Sequence, residues 1–442
     1  MPRALIIGGG LAGMSAALAL HSAGFEVELY EARPRLGGRA GSFPLDPARP
    51  EAGLIDNGQH VLLGCCRNLL DFYRRLGVAD CIRFYDEFHF LQPGGRRSVL
   101  RPGRLPGAGR FASALLGLRF LSLPDKLGVA RALLGLRREF AARTDLDGIT
   151  MSEWLRAHRQ TAPAVARFWR PVLVSALNEE PERTAARHGL QVFWLGFLAA
   201  PDGYRMGVPA VPLSDLYAEQ RWRRFPQLKL HTRSPVRALL VAQGRVAAVQ
   251  VGEGLRRADY YVLAVPCDRA AELAPDLKLP AGAFESSPIA AAHLWFDRPV
   301  TELPQAALLD RTFQWVFNKA AGRYLMAVMS AARSLLEQSR EQAIALARRE
   351  LAEFLPRLGE ARLERAQLIR ERRATFSPRP GLEALRPPAA TALPNLFLAG
   401  DWTRTGWPAT MEGAVRSGYL AAEAVTAAAG APRRFLIPDP AP

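Results

Sequence analysis

The chain has 442 residues, 49% of them hydrophobic and 23% charged, which is the composition of an ordinary globular α/β protein. These values exclude a disordered or fibrous chain, and the length predicts two closely joined domains rather than one simple core. The cysteines show no CxxC pair and no metal-ligand spacing, so we expect reduced thiols and no metal site. They are Cys65, Cys66, Cys81 and Cys267.

The net charge of +16 is the unusual feature of the composition, and nearly all of the excess is arginine. Codon bias toward arginine is one explanation. The basic residues are scattered and no nucleic-acid-binding motif accompanies them, so we expect no nucleic-acid partner. Attraction to an anionic membrane surface fits better, provided that an apolar surface lies nearby.

The first forty residues place a glycine-rich turn between an apolar run, residues 4–7, and a helical pattern. Gly8 suits a tight turn, Gly10 lets a pyrophosphate approach the backbone, and Gly13 lets the helix pack on the strand. The helix N-terminus offers free N–H groups to phosphate. Glu31 closes the second apolar run, where it is placed to accept a hydrogen bond from a ribose hydroxyl. The segment therefore predicts dinucleotide binding.

The same start resembles a secretory signal in one respect, because Arg3 precedes an apolar stretch. However, three glycines interrupt that stretch, and no polar cleavage region follows before the next strand-like segment. We therefore expect this segment to be the folded start of a cytoplasmic protein.

Residues 105–140 are rich in leucine and alanine at helical spacing. Charged residues interrupt them too often for a membrane-spanning helix, so we predict two shorter helices divided near Pro124. We favour core helices of a substrate domain over helices that dip into a membrane. Both interpretations can hold if the helices cover a lipid-binding tunnel and rest on the bilayer.

The remaining chain is predicted as helices over 151–200 and as strands from about residue 228. Another strand is expected over 285–297 and a long amphipathic helix over 334–355. The C-terminal region reads as a short strand, a glycine turn and a helix. The proline-rich residues 431–442 are expected to form a loose tail.

Three further segments favour a flavin over a nicotinamide dinucleotide. Gly37 and Gly38 suit a chain that crosses close over a pyrophosphate, and Arg39 offers a forked donor set to phosphate or flavin. A β-rich middle contains Val236 and leads back to the nucleotide. Gly400–Asp401 ends a strand before a helix whose N-terminus could stabilise the negative charge of a reduced flavin.

Each of these signals has a plainer explanation: a turn at Gly37–Gly38, a helix cap at Asp401 and a strand end at Gly400. Their order along the chain and their positions at opposite ends favour FAD. The predicted cofactor-binding residues are Gly8, Gly10, Leu11, Ala12, Gly13, Glu31, Ala32, Gly37, Gly38, Arg39, Val236, Gly400, Asp401, Thr410, Met411 and Ala414.

The motifs GGGLAG, LGGRAGS, LFLAGDWT and TMEGAVRSG resemble the flavin amine oxidase and carotenoid desaturase superfamily. Several inner segments resemble the hydroxysqualene dehydroxylases, which are squalene-associated, FAD-dependent, desaturase-like proteins of hopanoid synthesis. Those segments are IDNGQHVLLGCCRNLLDFYRRLG, FWRPVLVSALNEEPERTAA, YRMGVPAVPLSDLY and SPIAAAHLWFDRP. The resemblance covers nearly the whole chain except the tail.

The resemblance implies an α/β fold with a Rossmann-like FAD-binding domain of the glutathione-reductase-like superfamily and an interleaved α+β substrate domain. The two domains are expected to alternate along the chain before a flexible tail. The ranges are 1–84, 205–284 and 386–430 for the FAD-binding domain, 85–204 and 285–385 for the substrate domain, and 431–442 for the tail.

The resemblance also implies reductive dehydroxylation of 12-hydroxysqualene to squalene. A general acid would protonate the alcohol, water would leave an allylic cation, and reduced flavin would deliver hydride in a dry, apolar site. Aromatic faces could stabilise the cation. The implied partners are a long apolar isoprenoid substrate and an external reductant, either NAD(P)H or a redox protein. We expect peripheral contact with the inner face of the cell membrane.

His60 is the first candidate for the proton donor and Asp56 the second, although a structural hydrogen bond would explain His60 as well. Trp402 and Trp407 are expected to wall the flavin ring. The expected role of Glu412 is to cap its helix and compensate the helix dipole.

Asn178 and Glu179 could line the substrate tunnel, but a helix end before Pro181 explains them equally well.

A carotenoid or phytoene desaturase is the alternative function, because it has the same fold and also needs a long apolar tunnel. In such an enzyme the hydride passes from the substrate to oxidised flavin. A flavin amine oxidase is the second alternative. Such enzymes commonly place a lysine where this chain has Ala290, Ala291 and Ala292, and the cysteine used for covalent flavin attachment is missing from GWPATMEG. A non-enzymatic flavin-binding escort is the last interpretation.

Overall fold

The computed structural model describes residues 1–46, 48–49, 53–103 and 107–441, and all elements below belong to that part of the chain. The strands are β1 (Arg3–Ile7), β2 (Glu26–Tyr30), β3 (Ser42–Pro44), β4 (Leu54–Asp56), β5 (Leu62–Leu63), β6 (Ile82–Tyr85), β7 (Phe88–Leu91), β8 (Arg97–Leu100), β9 (Met206–Pro209), β10 (Leu228–His231), β11 (Val236–Ala242), β12 (Arg245–Val251), β13 (Gly254–Arg256), β14 (Tyr260–Leu263), β15 (Ser286–Phe296), β16 (Gln305–Leu308), β17 (Trp315–Ala320), β18 (Tyr324–Ser330), β19 (Leu363–Phe376) and β20 (Leu396–Leu398).

The α-helices are α1 (Leu11–Ser22), α2 (Arg67–Leu76), α3 (Ala112–Gly117), α4 (Leu123–Ala142), α5 (Met151–Ala157), α6 (Ala162–Ala164), α7 (Arg170–Leu177), α8 (Ala186–Phe193), α9 (Leu213–Leu216), α10 (Glu219–Trp222), α11 (Cys267–Leu273), α12 (Arg333–Leu336), α13 (Arg340–Phe354) and α14 (Met411–Ala428). Two turns of π-helix, Val165–Trp169 and Trp194–Leu198, precede α7 and follow α8.

A parallel sheet in the order β10-β2-β1-β14-β20 carries the glycine-rich turn. The apolar residues of β1 are buried on both faces, as expected for a parallel sheet that is covered on both sides. α1 and α14 cover one face, and they approach so closely that a Cβ at Gly418 would lie 2.2 Å from the carbonyl oxygen of Ala12. The predicted α/β fold with a Rossmann-like unit at the N-terminus is confirmed.

A second, mixed sheet runs in the order β19-β15-β18-β17-β16-β7-β8. Successive residues of its long strand β15 point to opposite faces, so Ala291 packs toward the helices α3–α8 while Ala290 and Ala292 pack toward α13. The strands of this sheet come from 85–204 and 285–385, and those of the parallel sheet come from the other ranges expected for the FAD-binding domain. The two sheets therefore interleave along the chain.

Most predicted elements are present, with two differences in their bounds. The helix expected over 334–355 is divided into α12 and α13, because Ser339 starts a new helix by accepting a hydrogen bond from the N–H of Gln342. The predicted division near Pro124 falls at Leu118–Ser122, and Pro124 lies in the first turn of α4, where proline is tolerated. Residues 104–106, at the start of that predicted region, lie outside the described part of the chain.

The C-terminal residues differ from the loose tail that the prolines predict. Residues 432–441 pack against α2 and α14. Phe435 is buried against Tyr419, and the backbone of Ile437 is hydrogen-bonded to the side chain of Asn68. Proline prevents regular structure, but it does not prevent side chains and free N–H groups from docking.

No helix in the described ranges is long and apolar enough to cross a membrane. Each of the four cysteines is a free thiol.

Candidate active site

A continuous cavity of ≈ 890 Å³ extends from the glycine-rich turn, past the C-terminal loop before α14, into the helical layer. Its walls differ at the two ends. Backbone and polar groups of the parallel sheet surround one end, and apolar side chains surround the other. Of the sixteen predicted cofactor-binding residues, fifteen line this cavity, and Gly13 lies behind its wall.

The glycines of the first turn have separate roles in the structure. A Cβ at Gly13 would lie 1.9 Å from the carbonyl oxygen of Gly8, so Gly13 serves the packing of α1 on the turn. A Cβ at Gly10 would meet no protein atom within 4 Å, so this residue faces the open cavity. No side chain caps the start of α1, and its first N–H groups are left available to an anion at the cavity wall.

The carboxylate of Glu31 holds the glycine-rich turn in place. Its Oε2 accepts from the N–H of Gly9 at 2.7 Å, and its Oε1 accepts from the N–H of Arg33 at 2.7 Å. Each carboxylate oxygen keeps a further lone pair, and the residue lines the cavity. Glu31 therefore holds the turn and still has lone pairs for the predicted hydrogen bond from a ribose hydroxyl.

Arg39 and Asp401 are brought together from opposite ends of the sequence. Nη2 of Arg39 donates to Oδ2 of Asp401 at 2.6 Å, and Nη1 donates to the carbonyl oxygen of Ala374 at 2.9 Å. Two of the five N–H donors that the sequence assigns to phosphate or flavin are thus committed to protein. The chain crosses close to the first turn here, because a Cβ at Gly38 would lie 3.2 Å from Cα of Gly10.

Arg386 is a site residue that sequence reasoning missed. Its guanidinium is buried and donates to the carbonyl oxygens of Asp401 and Trp407 and to Oγ1 of Thr405, at 2.7–2.8 Å. Arg386 therefore fixes the loop between Gly400 and α14. Arg386 also donates to Oε2 of Glu383 at 2.6 Å, so two backbone carbonyls and two side chains hold it, and no motif marks it.

Trp402 and Trp407, which are expected to wall the flavin ring, both line the cavity. Trp402 packs so tightly on the loop that a Cβ at Gly400 would lie 2.3 Å from its Nε1, which donates to the carbonyl oxygen of Val265. At the start of α14, Oγ1 of Thr410 accepts from the N–H of Gly413. This helix start also lines the cavity, through Thr410, Met411 and Ala414.

Glu412 caps a different helix from the one expected. Its Oε1 accepts from the N–H and Nδ2 of Asn68, and its Oε2 accepts from the N–H of Leu69, so it binds the N-terminus of α2. Burial raises the pKa of Glu412, although these donors oppose the shift. This carboxylate ties α2 to α14 at the edge of the cavity.

His60 lines the cavity and is half-buried. Its Nδ1 lies 3.2 Å from the carbonyl oxygen of Gly58, where a protonated Nδ1 donates. Burial lowers the pKa of His60 below its usual 6.5, although the hydrogen bond to the Gly58 backbone and the charge of Asp56 oppose the shift. The ring is therefore mostly neutral at neutral pH, with Nε2 as an acceptor.

Asp56, the second predicted proton donor, does not line the cavity. Its Oδ1 accepts from Oγ of Ser42 at 2.7 Å and from the N–H of Leu213 at 3.0 Å. Its Oδ2 accepts from Nζ of Lys319, which also donates to Oε1 of Gln59 at 3.1 Å. Asp56 therefore braces the segment that carries His60, which corrects the role predicted for it.

Asn178 and Glu179 are separated by the fold. Asn178 lines the cavity, and its amide bridges to the carbonyl oxygen of Ser287 and to Oγ1 of Thr375. Glu179 is fully buried away from the cavity and accepts from both Nη atoms of Arg333. Only the first of the two predicted tunnel residues is at the tunnel.

Aromatic rings form the apolar end of the cavity, and the two π-helical turns contribute to it. Phe168 stacks on Phe193 at 5.9 Å between ring centroids, and Phe193 lies 5.8 Å from Phe197. Phe111 and Phe88 extend the row from Phe197, at 5.6 and 6.2 Å. The sequence reading did not identify this row, since its members come from five separate elements.

These residues fit a bound FAD. The turn offers uncapped helix N–H groups, Gly10 faces open space, and the second helix start lies across the same cavity. Backbone donors and close-packed glycines are what a pyrophosphate requires. Among the described residues, no group of three or more His, Cys, Asp or Glu side chains is arranged to hold a metal ion.

Comparisons with known proteins agree with this architecture. The model of the family described as flavin containing amine oxidoreductase matches residues 11–426. The chain is 33% identical to a hydroxysqualene dehydroxylase of Rhodopseudomonas palustris, over 96% of this chain and 98% of that one. It is 26% identical to a zeta-carotene desaturase of Synechocystis, over 96% and 97% of the two chains.

Among solved structures, cyclohexylamine oxidase from Brevibacterium oxydans superposes with a TM-score of 0.70 at 16% identity, covering 97% of this chain and 99% of that one. At this identity the likeness concerns the fold alone.

We predict that Gly10→Val weakens FAD binding at least tenfold without unfolding the protein. The backbone at Gly10 (φ −77°, ψ −179°) is allowed for valine, and the new side chain would enter the cavity rather than the protein. FAD titration by flavin fluorescence measures the affinity, and thermal unfolding of the apoprotein measures stability. Gly282→Val is the matched control, because Gly282 is exposed and equally unobstructed. Unchanged affinity in Gly10→Val would contradict this assignment of the cavity.

Proposed function

This chain belongs to the flavin-containing amine oxidoreductase family, and we propose that this FAD-dependent oxidoreductase reduces hydroxysqualene to squalene for hopanoid biosynthesis. The observation that carries the proposal is the single cavity, in which the cofactor end opens directly into an aromatic, apolar end. A long hydrocarbon fits such a surface, and an amine substrate would lack a counter-charge there. The 33% identity to a protein of this activity supports the choice of substrate.

The reaction consumes one hydride and one proton and releases the hydroxyl group as water. When bound and reduced, FAD supplies the hydride. Two electrons must return in each cycle, so an external reductant, NAD(P)H or a redox protein, is part of the proposal. The chain must supply the proton and keep bulk water away from the allylic cation.

The aromatic row at the apolar end suits two requirements of this step, the exclusion of water and the stabilisation of the cation. Phe168, Phe193 and Phe197 exclude water by their packing, and ring faces attract a delocalised cation. Nearby aliphatic side chains cannot trap the cation, because they carry no lone pairs.

His60 is the proposed proton donor. A lowered pKa makes the protonated ring a stronger acid, at the cost that few molecules carry the proton at neutral pH. Nδ1 is occupied by the carbonyl oxygen of Gly58, so Nε2 is the nitrogen that would carry the transferred proton.

The exposed face of α4 is the proposed contact with an anionic membrane. Leu123, Leu127 and Leu134 lie on one side of this helix and are 62%, 64% and 76% exposed. We call them the leucine stripe. Arg131 and Arg138 are exposed beside it, and Leu134 also lines the cavity. An apolar stripe flanked by cations at a cavity mouth suits transfer of a hydrocarbon from a bilayer.

The dehydroxylase proposal predicts squalene formation by the FAD holoenzyme when it is reduced anaerobically and given detergent-dispersed hydroxysqualene. Gas chromatography with mass spectrometry detects the product, and oxidised holoenzyme is the control that should give none. New conjugated chromophores from a carotene precursor with oxidised holoenzyme, without squalene formation, would replace the proposal with a desaturase. Hydrogen peroxide release from amines would replace it with an amine oxidase.

For His60 we expect kcat to rise as the pH falls from 8 toward 6. The folded pKa lies below 6.5, so the protonated fraction in the native protein increases as the pH falls through that window. His60→Ala should lower kcat by about 10²-fold or more and remove the pH dependence. His60→Gln, which retains a hydrogen-bonding side chain, controls for loss of packing. An unaltered pH profile in His60→Ala would exclude His60 as the acid.

The leucine stripe predicts binding to phosphatidylglycerol-containing vesicles at low salt. Changing Leu123, Leu127 and Leu134 together to Ser should weaken co-sedimentation at least tenfold, because each buried leucine contributes about 1.5–3 kcal/mol. The matched control changes Leu240, Val241 and Leu255 to Ser, since these exposed apolar residues lie on the hairpin strands β11–β13. Equal loss in the control, or none in the stripe variant, would refute the assignment.

A further inference from the structure

The C-terminal segment 432–441 is attached to the helices that border the cavity. The N–H groups of Phe435 and Leu436 both donate to Oε1 of Glu423 at 2.7 Å. Ile437 exchanges two hydrogen bonds with the side chain of Asn68, at 2.8 and 3.0 Å. These contacts fix the path of the segment up to its last residues.

Asp439 is the point at which this segment reaches the active site. Its Oδ2 accepts from Nε1 of Trp407 at 2.8 Å, and its Oδ1 accepts from Nη1 of Arg416 at 3.0 Å. Trp407 lines the cavity and is 6% exposed. The guanidinium of Arg416 lies 5.6 Å from the centre of the indole ring and donates through Nε to the carbonyl oxygen of Thr405.

We propose that Asp439 is a positioning residue for the reaction, and that the C-terminal segment is thereby part of the active site. The carboxylate holds the Trp407 indole in place as a wall of the cavity. The choice of hydroxysqualene as the test substrate rests on the proposed function, whereas the contact between Asp439 and Trp407 does not.

The physical reason is that Asp439 satisfies two otherwise unfavourable buried groups. The indole of Trp407 has a single N–H donor, and Asp439 accepts its hydrogen bond in the described structure. Arg416 is 6% exposed, and its other nearby carboxylate, Glu412, is 3.7 Å away and committed to α2. Without Asp439, both groups would turn toward other partners, and the ring would lose its fixed orientation.

Asp439→Ala tests the proposal in the holoenzyme. We expect KM for hydroxysqualene to rise about tenfold while kcat changes less than about threefold, because a displaced wall weakens substrate binding throughout the reaction. A merely destabilised protein would instead lose active molecules, which lowers kcat at unchanged KM. Asp439→Asn, which keeps an acceptor for the indole, should restore most of the affinity. Arg434→Ala is the control, since Arg434 is exposed on the same segment.

Trp407→Phe completes a double-mutant cycle. The effects of Asp439→Ala and Trp407→Phe on KM should not add, because both remove the same contact. Near-ultraviolet circular dichroism gives a second cycle without any substrate: Asp439→Ala should change the tryptophan bands of the parent protein and not those of Trp407→Phe.

The dichroism cycle separates this proposal from the proposed function. If no squalene forms but the dichroism effects are non-additive, the dehydroxylase proposal fails and the role of Asp439 stands. Additive effects in either cycle would overturn the role of Asp439. An unchanged KM in Asp439→Ala, or equal effects of Arg434→Ala, would overturn it as well.

Discussion

The ion pair between Arg39 and Asp401 connects residues that are 362 positions apart, and the cavity depends on it. Each partner follows a glycine that brings backbone to the cavity wall, so the pair closes the cofactor end with two segments that are distant in sequence. Asp401 is buried, and a buried carboxylate without its cation would carry a large desolvation cost. The fold thus uses one charged contact to join the N-terminal unit to the loop before α14. Arg386 supports the same loop by donating to the backbone carbonyl oxygens of Asp401 and Trp407.

Fifteen of the sixteen residues that the sequence predicts to bind the cofactor line one cavity, because the constraints on this end are local. GxGxxG specifies a turn, a helix start and a packing contact within a few residues, and the structure assigns these roles to Gly8, Gly10 and Gly13 as the spacing requires. Arg386, Lys319 and Asp439 were missed for the opposite reason. Each acts on partners from distant segments, and an isolated arginine, lysine or aspartate carries no pattern that reveals its contacts.

The apolar end of the cavity was predictable in composition but not in shape. Leucine and alanine at helical spacing in 105–140 indicated helices over a tunnel, and the described helices α3 and α4 do border the cavity. The row of rings around Phe193 and Phe197 could not be foreseen, because it depends on two π-helical turns. A π-helical turn shifts the following side chains around the helix axis, and helical periodicity alone assumes that no such shift occurs. The sequence predicted a loose C-terminal tail, but the tail is docked. Its attachment depends on Asn68 and Glu423, which lie outside the tail, so the tail's own sequence pattern does not reveal it.

The choice of His60 as acid follows from how the other ionisable groups of the cavity are bonded. A proton donor needs an atom that is free on the substrate side, and the carboxyl groups named here are already engaged with donors of the protein. Glu31 accepts from two backbone N–H groups, Asp401 accepts from Arg39, and Glu412 accepts from three donors at the start of α2. Glu371 likewise accepts from Nδ2 of Asn57 and from the N–H of Arg373. His60 differs from all of them, because only one of its nitrogens is engaged and its neutral form is favoured by burial. A group that gains a proton only transiently, on the side facing the substrate, can pass it to a leaving hydroxyl without leaving a lasting charge in an apolar cavity.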